Sequence, residues 1–121
     1  MLNTWPIIRE KINELVGANA EKILFAAEFA ENVSGGLLRY SLQGEKKIRC
    51  SDNLSDILNT IAKIWESEQS NGKERWTGFL YFRDGSKEKI NYSKHDYYED
   101  FFLDQEFDWE EKYFSGYTFV R

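Results

Sequence analysis

Apolar residues recur at helical spacing in two stretches of the chain. From Trp5 to Val16 they fall three or four residues apart, with Thr4 suited to cap the start and Gly17 suited to end the helix. The second and clearer stretch has its apolar positions at Leu54, Ile57, Leu58, Ile61, Ile64 and Trp65. We therefore predict two amphipathic helices, the second of which gives way to a polar loop over Glu66–Gly72.

Runs rich in β-branched and aromatic residues predict strands between and after these helices. The predicted strands are Lys22–Phe29, Leu37–Leu42, Lys46–Cys50, Trp76–Phe82 and Lys87–Tyr92. Gly35 or Gly36 is expected to supply positive φ at the first reversal, and Asp84-Gly85 is a strong hairpin pattern. Further along, we predict short helices at Asp96–Leu103 and Asp108–Tyr113 and a last strand at Tyr117–Val120.

These elements predict an α+β fold. The two main helices would pack on one face of an antiparallel sheet of about four to six strands. The aromatic run Trp76–Phe82 is expected inside that sheet, although an edge position that pairs with a second copy is the alternative. A chain of 121 residues fits one domain spanning residues 1–121, as a monomer or weak homodimer.

The chain has no run close to the roughly 20 apolar residues that a bilayer-spanning helix needs. Its first residues lack the basic and then apolar pattern of a secretory signal. Cys50 is the single cysteine and cannot form an internal disulfide, which is typical of a reducing compartment. We therefore predict a cytoplasmic protein that does not use a membrane.

Negative charge is concentrated near the end of the chain. Residues 1–95 carry 13 acidic and 14 basic side chains, a net charge of +1, whereas residues 96–121 carry 8 acidic and 2 basic ones, a net charge of −6. All eight of these acids lie in residues 96–111, which contain no Lys or Arg and which we call the acidic segment. Such a field attracts basic partners and repels nucleic acid, so direct nucleic-acid binding is not expected.

Patterns typical of catalysis or metal binding are weak. His95 adjoins Asp96 but has no nearby nitrogen or sulfur ligand, so a zinc site is not expected. Asp96, Asp100 and Asp104 could align on a helix for a hard cation, but a solvated acidic helix face explains them more simply. No local motif supports a Cys50 nucleophile with a His95 base, and a buried free thiol is ordinary at a strand end. We predict no enzyme, metal or cofactor.

Acids alternate with large aromatic residues in the acidic segment, which suits docking of a basic protein. The expected exposed anchors are Tyr97, Tyr98 and Trp109. The expected charge partners are Asp96, Glu99, Asp100, Asp104, Asp108 and Glu110. In the alternative, the acids only confer solubility while the apolar residues complete the core. Those apolar residues are Phe101, Phe102, Leu103, Phe107 and Trp109.

An acidic docking surface suits an inhibitor of a nuclease. A nuclease presents Lys and Arg to bind phosphates, so its cleft is positively charged. An acidic protein can occupy that cleft in place of the polyanion. Electrostatic steering would speed the encounter, which matters when a toxin must be caught before it acts.

The later part of the chain has an order of motifs that matches one family. Trp76-Thr77-Gly78-Phe79 precedes Asp84-Gly85 and the return strand Lys89-Ile90-Asn91-Tyr92, and an aromatic segment follows at Phe107–Tyr113. In this order the chain resembles the YezG-like immunity proteins, bacterial antitoxins of polymorphic toxin systems. The resemblance implies a protein that binds a cognate toxin domain, often a nuclease, and blocks it stoichiometrically, without catalytic residues or a cofactor. Contact-dependent inhibition systems use immunity proteins in the same role on varied folds.

Overall fold

The computed structural model describes residues 5–30, 33–51, 53–70, 78–93 and 106–120. Over these residues the α+β fold is confirmed, with three helices and a six-stranded, mostly antiparallel sheet. The helices are α1 (Trp5–Val16), α2 (Ser55–Ser70) and α3 (Glu106–Tyr113). The strands are β1 (Ala20–Ala30), β2 (Val33–Leu42), β3 (Lys47–Cys50), β4 (Gly78–Asp84), β5 (Lys87–Ser93) and β6 (Thr118–Phe119).

Strand β1 lies inside the sheet, whose strand order is β5-β4-β1-β2-β3-β6. Neighbouring strands are antiparallel except β3 and β6, which are parallel. Phe25 of β1 is opposite both Leu38 of β2 and Tyr81 of β4. The aromatic strand β4 is therefore an interior strand, as predicted, and β5 and β6 are the outermost of the described strands.

Helices α1 and α2 cover the face of the sheet that carries Phe25, which we call the first face. Lys11 of α1 and Asp56 of α2 form an ion pair of 2.6 Å. A fully buried large apolar side chain contributes roughly 1.5–3 kcal/mol, so this layer supplies much of the fold's stability. Its buried members on the helices are Ile8, Ile12, Val16, Ile57, Ile61 and Trp65, and Leu54, just before α2, joins them.

The opposite, second face is also buried. Leu24 and Ala26 of β1 point to it and join a separate core cluster with Trp109 and Phe114 from the end of the chain. Burial on both faces explains why residues 23–27 are continuously apolar rather than alternating. The central strand is thus enclosed by helices on both sides.

Glycines of β2 correct one sequence prediction. Gly35 and Gly36 do not form the predicted turn: both lie within β2, paired with β1, and Gly36 does not have positive φ. A Cβ at Gly36 would lie 3.0 Å from Leu58 Cδ2 and 3.1 Å from the carbonyl oxygen of Ala26. Gly36 therefore allows α2 to approach the sheet closely. Gly17 and Gly85 do have positive φ, as expected for a helix end and a hairpin.

Helix α2 is longer than predicted. It continues to Ser70, whereas the polar run from Glu66 suggested a loop. Trp65 stacks on Phe29 at 6.4 Å and holds this part of the helix on the sheet. Glu and Gln are good helix formers when exposed, so the polar residues after Trp65 extend the helix instead of ending it.

Candidate functional site

Residues 106–120, which we call the C-terminal arm, cross the second face of the sheet. Helix α3 begins at Glu106, two residues before the predicted start. Gly116, at φ +83°, turns the chain after the helix. Thr118 then donates a backbone hydrogen bond of 3.1 Å to the carbonyl oxygen of Lys46, just before β3, and Val120 donates one of 2.9 Å to the carbonyl oxygen of Ile48 in β3, so that β6 forms beside β3. The end of the acidic segment is thus attached to a defined place on the fold.

Trp109 is part of the core and is not the exposed anchor that was predicted. It is 7% exposed and packs in the second-face cluster with Phe114. Tyr113, one helical turn further on, stacks on Phe82 with ring centroids 4.0 Å apart. Trp109 and Tyr113 are four residues apart, the spacing of one helix face, a pattern that sequence reasoning could have used.

Cations of the sheet hold the C-terminal arm in place. Arg39 Nε lies 3.3 Å from Glu110 Oε1, and the two side chains are only 16% and 14% exposed. Lys22 donates a hydrogen bond of 3.0 Å to the Tyr113 carbonyl and lies 4.7 Å from the centre of the Tyr117 ring. Glu110 was predicted to be a charge partner for another protein, and here it is bonded within the molecule instead.

A second set of side chains on the C-terminal arm faces solvent. Glu111 is exposed, and Phe119 and Val120 are 48% and 41% exposed at the β6 edge. Between α3 and β6 lies a groove of about 260 Å³, the C-terminal groove. It is lined by Ile48, Glu110, Glu111, Phe114, Ser115, Gly116, Tyr117 and Phe119. Sequence analysis missed the exposure of Phe119 because only the edge position of β6 creates it.

The other predicted docking residues are not placed by the structure. Asp108 lies in α3, but its side chain is outside the described part of the molecule. The remaining residues lie outside the described ranges altogether; they are Asp96, Tyr97, Tyr98, Glu99, Asp100 and Asp104. The predicted helix Asp96–Leu103 lies there too.

Candidate chemistry is limited within the described residues. Cys50 is exposed, not buried as expected, and His95 lies outside the described ranges. In the described part of the chain, no group of three His, Cys, Asp or Glu side chains could hold a metal ion. None of the described helices combines the length and apolar character that crossing a bilayer requires. No protein-family model matches the chain, and no curated protein matches it either.

Proposed function

We propose that this chain is an immunity protein of the YezG-like type that acts in the bacterial cytoplasm. It binds a cognate toxin domain, a basic nuclease, and blocks it without chemistry of its own. The proposal rests on one observation: concentrated negative charge and exposed apolar side chains occur together near the end of the chain. The acidic segment has eight acids and no Lys or Arg, and its last residues, 106–111, belong to the C-terminal arm, which exposes Glu111, Phe119 and Val120.

Charge explains how such a surface would recognise a nuclease. The positive cleft that binds phosphates would meet the acidic segment first, and complementary fields can raise association rates by about 10- to 1,000-fold. Exposed apolar side chains then slow dissociation once water is excluded. Stoichiometric blocking of the cleft needs no catalytic group in the inhibitor.

The burial of Trp109 and the pairing of Glu110 revise the proposed contact set. Both residues stabilise the C-terminal arm on its own sheet. The exposed Glu111 and Phe119 take their place in the proposal. The other proposed toxin-binding residues stay as predicted: Asp96, Tyr97, Tyr98, Glu99, Asp100, Asp104 and Asp108.

A non-catalytic adaptor with a merely solvated acidic face is the second candidate. Trp109 and Glu110 favour the adaptor, because Trp109 is part of a core and the charge of Glu110 is neutralised by Arg39. If every acid of the segment behaved like Glu110, no charge would remain for a partner. The exposed carboxylate of Glu111 argues for the first candidate.

Protection of cells tests the proposed role. We expect the gene for this chain to lie beside one for a secreted protein with a basic, toxin-like C-terminal domain. Expression of that domain alone should stop growth, and co-expression of this chain should restore it. Growth arrest that persists despite a soluble, folded chain would reject the immunity role.

A double charge reversal tests the surface. Asp100→Lys with Asp104→Lys should slow association with the toxin domain about tenfold or more at low salt, because steering is lost. The matched control is Glu10→Lys with Glu14→Lys on α1, which covers the opposite face of the sheet and exposes both carboxylates. Stopped-flow association rates at several salt concentrations measure the effect. Unchanged binding in the first variant, or equal slowing in both, would reject this surface and favour the adaptor.

A further inference from the structure

The C-terminal arm binds cations on its inner side with a recurring chemistry. The Glu110 carboxylate pairs with the guanidinium of Arg39. The ammonium of Lys22 donates a hydrogen bond to the Tyr113 carbonyl and lies over the Tyr117 ring. Carboxylates form strong charge-assisted bonds with these groups, and aromatic faces attract them through the ring quadrupole. The arm therefore already recognises Arg and Lys side chains from its own sheet.

The outer side of the C-terminal arm repeats these components. Glu111 offers an exposed carboxylate next in sequence to Glu110, and Phe119 offers a half-exposed ring. Ile48 and Phe114 supply buried apolar side chains to the same groove. These are the groups that a long aliphatic stem with a cationic end needs, since the stem packs on apolar surface and the end stays near charge and water.

The size of the groove limits what can enter it. Its volume of about 260 Å³ is below the roughly 300–1,000 Å³ of pockets that enclose whole small molecules. The groove also opens at the β6 edge, where Phe119 and Val120 are exposed. A single side chain projecting from a larger partner fits these limits.

We infer that the C-terminal groove receives one arginine side chain from the basic partner. The identity of that partner as a toxin domain rests on the proposed function, whereas the groove's preference for arginine does not. The stem of the arginine packs against Ile48 and Phe119, and its guanidinium lies between the Phe119 ring and the Glu111 carboxylate. Arginine suits this arrangement better than lysine because its planar head stacks on a ring and bonds a carboxylate in two places.

Charge selects a basic partner over a second copy of this chain. Each copy has a net charge of −5, with −6 in residues 96–121. Pairing two copies through this groove would bring their Glu111 carboxylates close together, and like charges at short distance repel. A partner with an exposed arginine is instead attracted to this negative charge.

Nuclear magnetic resonance with a defined peptide tests this inference without any toxin. The probe is an acetylated and amidated Ala-Arg-Ala peptide, and the control peptide carries norleucine in place of arginine. With the ¹⁵N-labelled full chain, we expect saturable shifts at the amides of Gly116, Tyr117 and Phe119 that the norleucine peptide does not produce. Glu111→Gln should weaken arginine-peptide binding about two- to fivefold. Phe119→Leu, which keeps an apolar side chain but removes the ring, should also weaken it.

Glu14→Gln on α1 is the matched control and should leave the peptide affinity unchanged. Shifts at Phe119 no larger than those around Glu14 would overturn the inference, because they would report only general attraction to an acidic protein. Equal binding of the norleucine peptide would also overturn it and identify the groove as merely apolar. If the chain binds the arginine peptide but fails to protect cells, the immunity role is rejected and the arginine-binding groove is supported. If the chain protects cells but its groove does not bind the arginine peptide, the immunity role is supported and the arginine-binding groove is rejected.

Discussion

At the residue scale, Tyr81 places a phenol in the core of the first face. The pKa of Tyr81 is raised from 10.0 to about 12, mainly because the phenol is buried; the charge of Arg83 opposes this increase and that of Glu88 contributes to it. The unfolded phenol keeps a pKa near 10. Between these values the unfolded state loses its proton first, so the free energy of unfolding decreases as pH rises from about 10 towards 12.

Tyr81→Phe should remove that part of the pH dependence. The wild-type chain should lose stability more steeply than the variant between pH 10 and 11, and the two profiles should run parallel from pH 7 to 9. Urea unfolding at each pH, followed by circular dichroism, measures both. Parallel profiles over the whole range would show that the phenol ionises as readily in the folded chain as in the unfolded one.

The pair Arg39–Glu110 is the contact at this scale that decides how the C-terminal arm is held. Both side chains are mostly buried, so removing one partner leaves a poorly solvated charge. Arg39→Met or Glu110→Gln should each cost about 1–3 kcal/mol in the free energy of unfolding. The double variant should lose less than the sum, with a coupling energy of about 1 kcal/mol.

A double-mutant cycle on Lys11 and Asp56 is the matched comparison for this coupling. That ion pair joins α1 to α2 at the surface, where solvent screens it. Its coupling energy, from the same urea titrations, should be clearly smaller than that of Arg39 and Glu110. Strictly additive effects at Arg39 and Glu110 would mean that their ion pair does not help to hold the C-terminal arm, which would then depend on its other contacts with the sheet.

At the element scale, the approach of α2 to the sheet depends on a missing side chain. Gly36→Ala adds a Cβ that would meet Leu58 at 3.0 Å and the Ala26 carbonyl at 3.1 Å. Such overpacking typically costs about 1–3 kcal/mol. Thermal unfolding should show a lower midpoint for Gly36→Ala than for the wild-type chain.

Leu58→Ala provides the internal test of this explanation. On its own it removes a partly buried contact with the first-face core. Combined with Gly36→Ala it also makes room for the new methyl group, so the double variant should be more stable than the sum of the single effects predicts. Additive losses would place the strain at the Ala26 carbonyl, within the sheet itself.

At the scale of the whole molecule, one strand links two cores. Ile23 and Phe25 belong to the first-face cluster, and Leu24 and Ala26 belong to the second-face cluster. If β1 separates from one cluster, its residues in the other cluster are exposed to water as well. We therefore expect the described layers to unfold together, in a single transition, as small single domains usually do.

Fluorotryptophan resonances test this cooperativity, because Trp65 lies in one core and Trp109 in the other. Their urea midpoints should coincide in the 5-fluorotryptophan-labelled chain. Glu111→Gln, an exposed change on α3, should leave both midpoints unchanged and is the control. An earlier transition at Trp109 would instead make the C-terminal arm a separately opening unit, which would weaken the case for a preformed groove.

Local pattern was sufficient to predict most elements of this fold. The bounds of α1, the hairpin at Gly85 and the interior position of β4 agree with the sequence predictions. Each depends on neighbours within a few residues or on a run of apolar side chains, which can be seen in the chain itself. Gly36 was wrongly predicted to lie in a turn. A glycine is needed there because Leu58 of α2 lies close by, and that contact comes from another element.

The sequence by itself determined an α+β protein whose negative charge is gathered in its last quarter. Only the tertiary structure decided which of those late residues face inward. Trp109 and Glu110 lie beside the exposed Glu111, yet contacts with Phe114 and Arg39 bury the first two. Those contacts join residues up to 71 positions apart, and no local pattern records such a distance. Burial at this site is therefore set by how distant strands and helices pack, not by residue type.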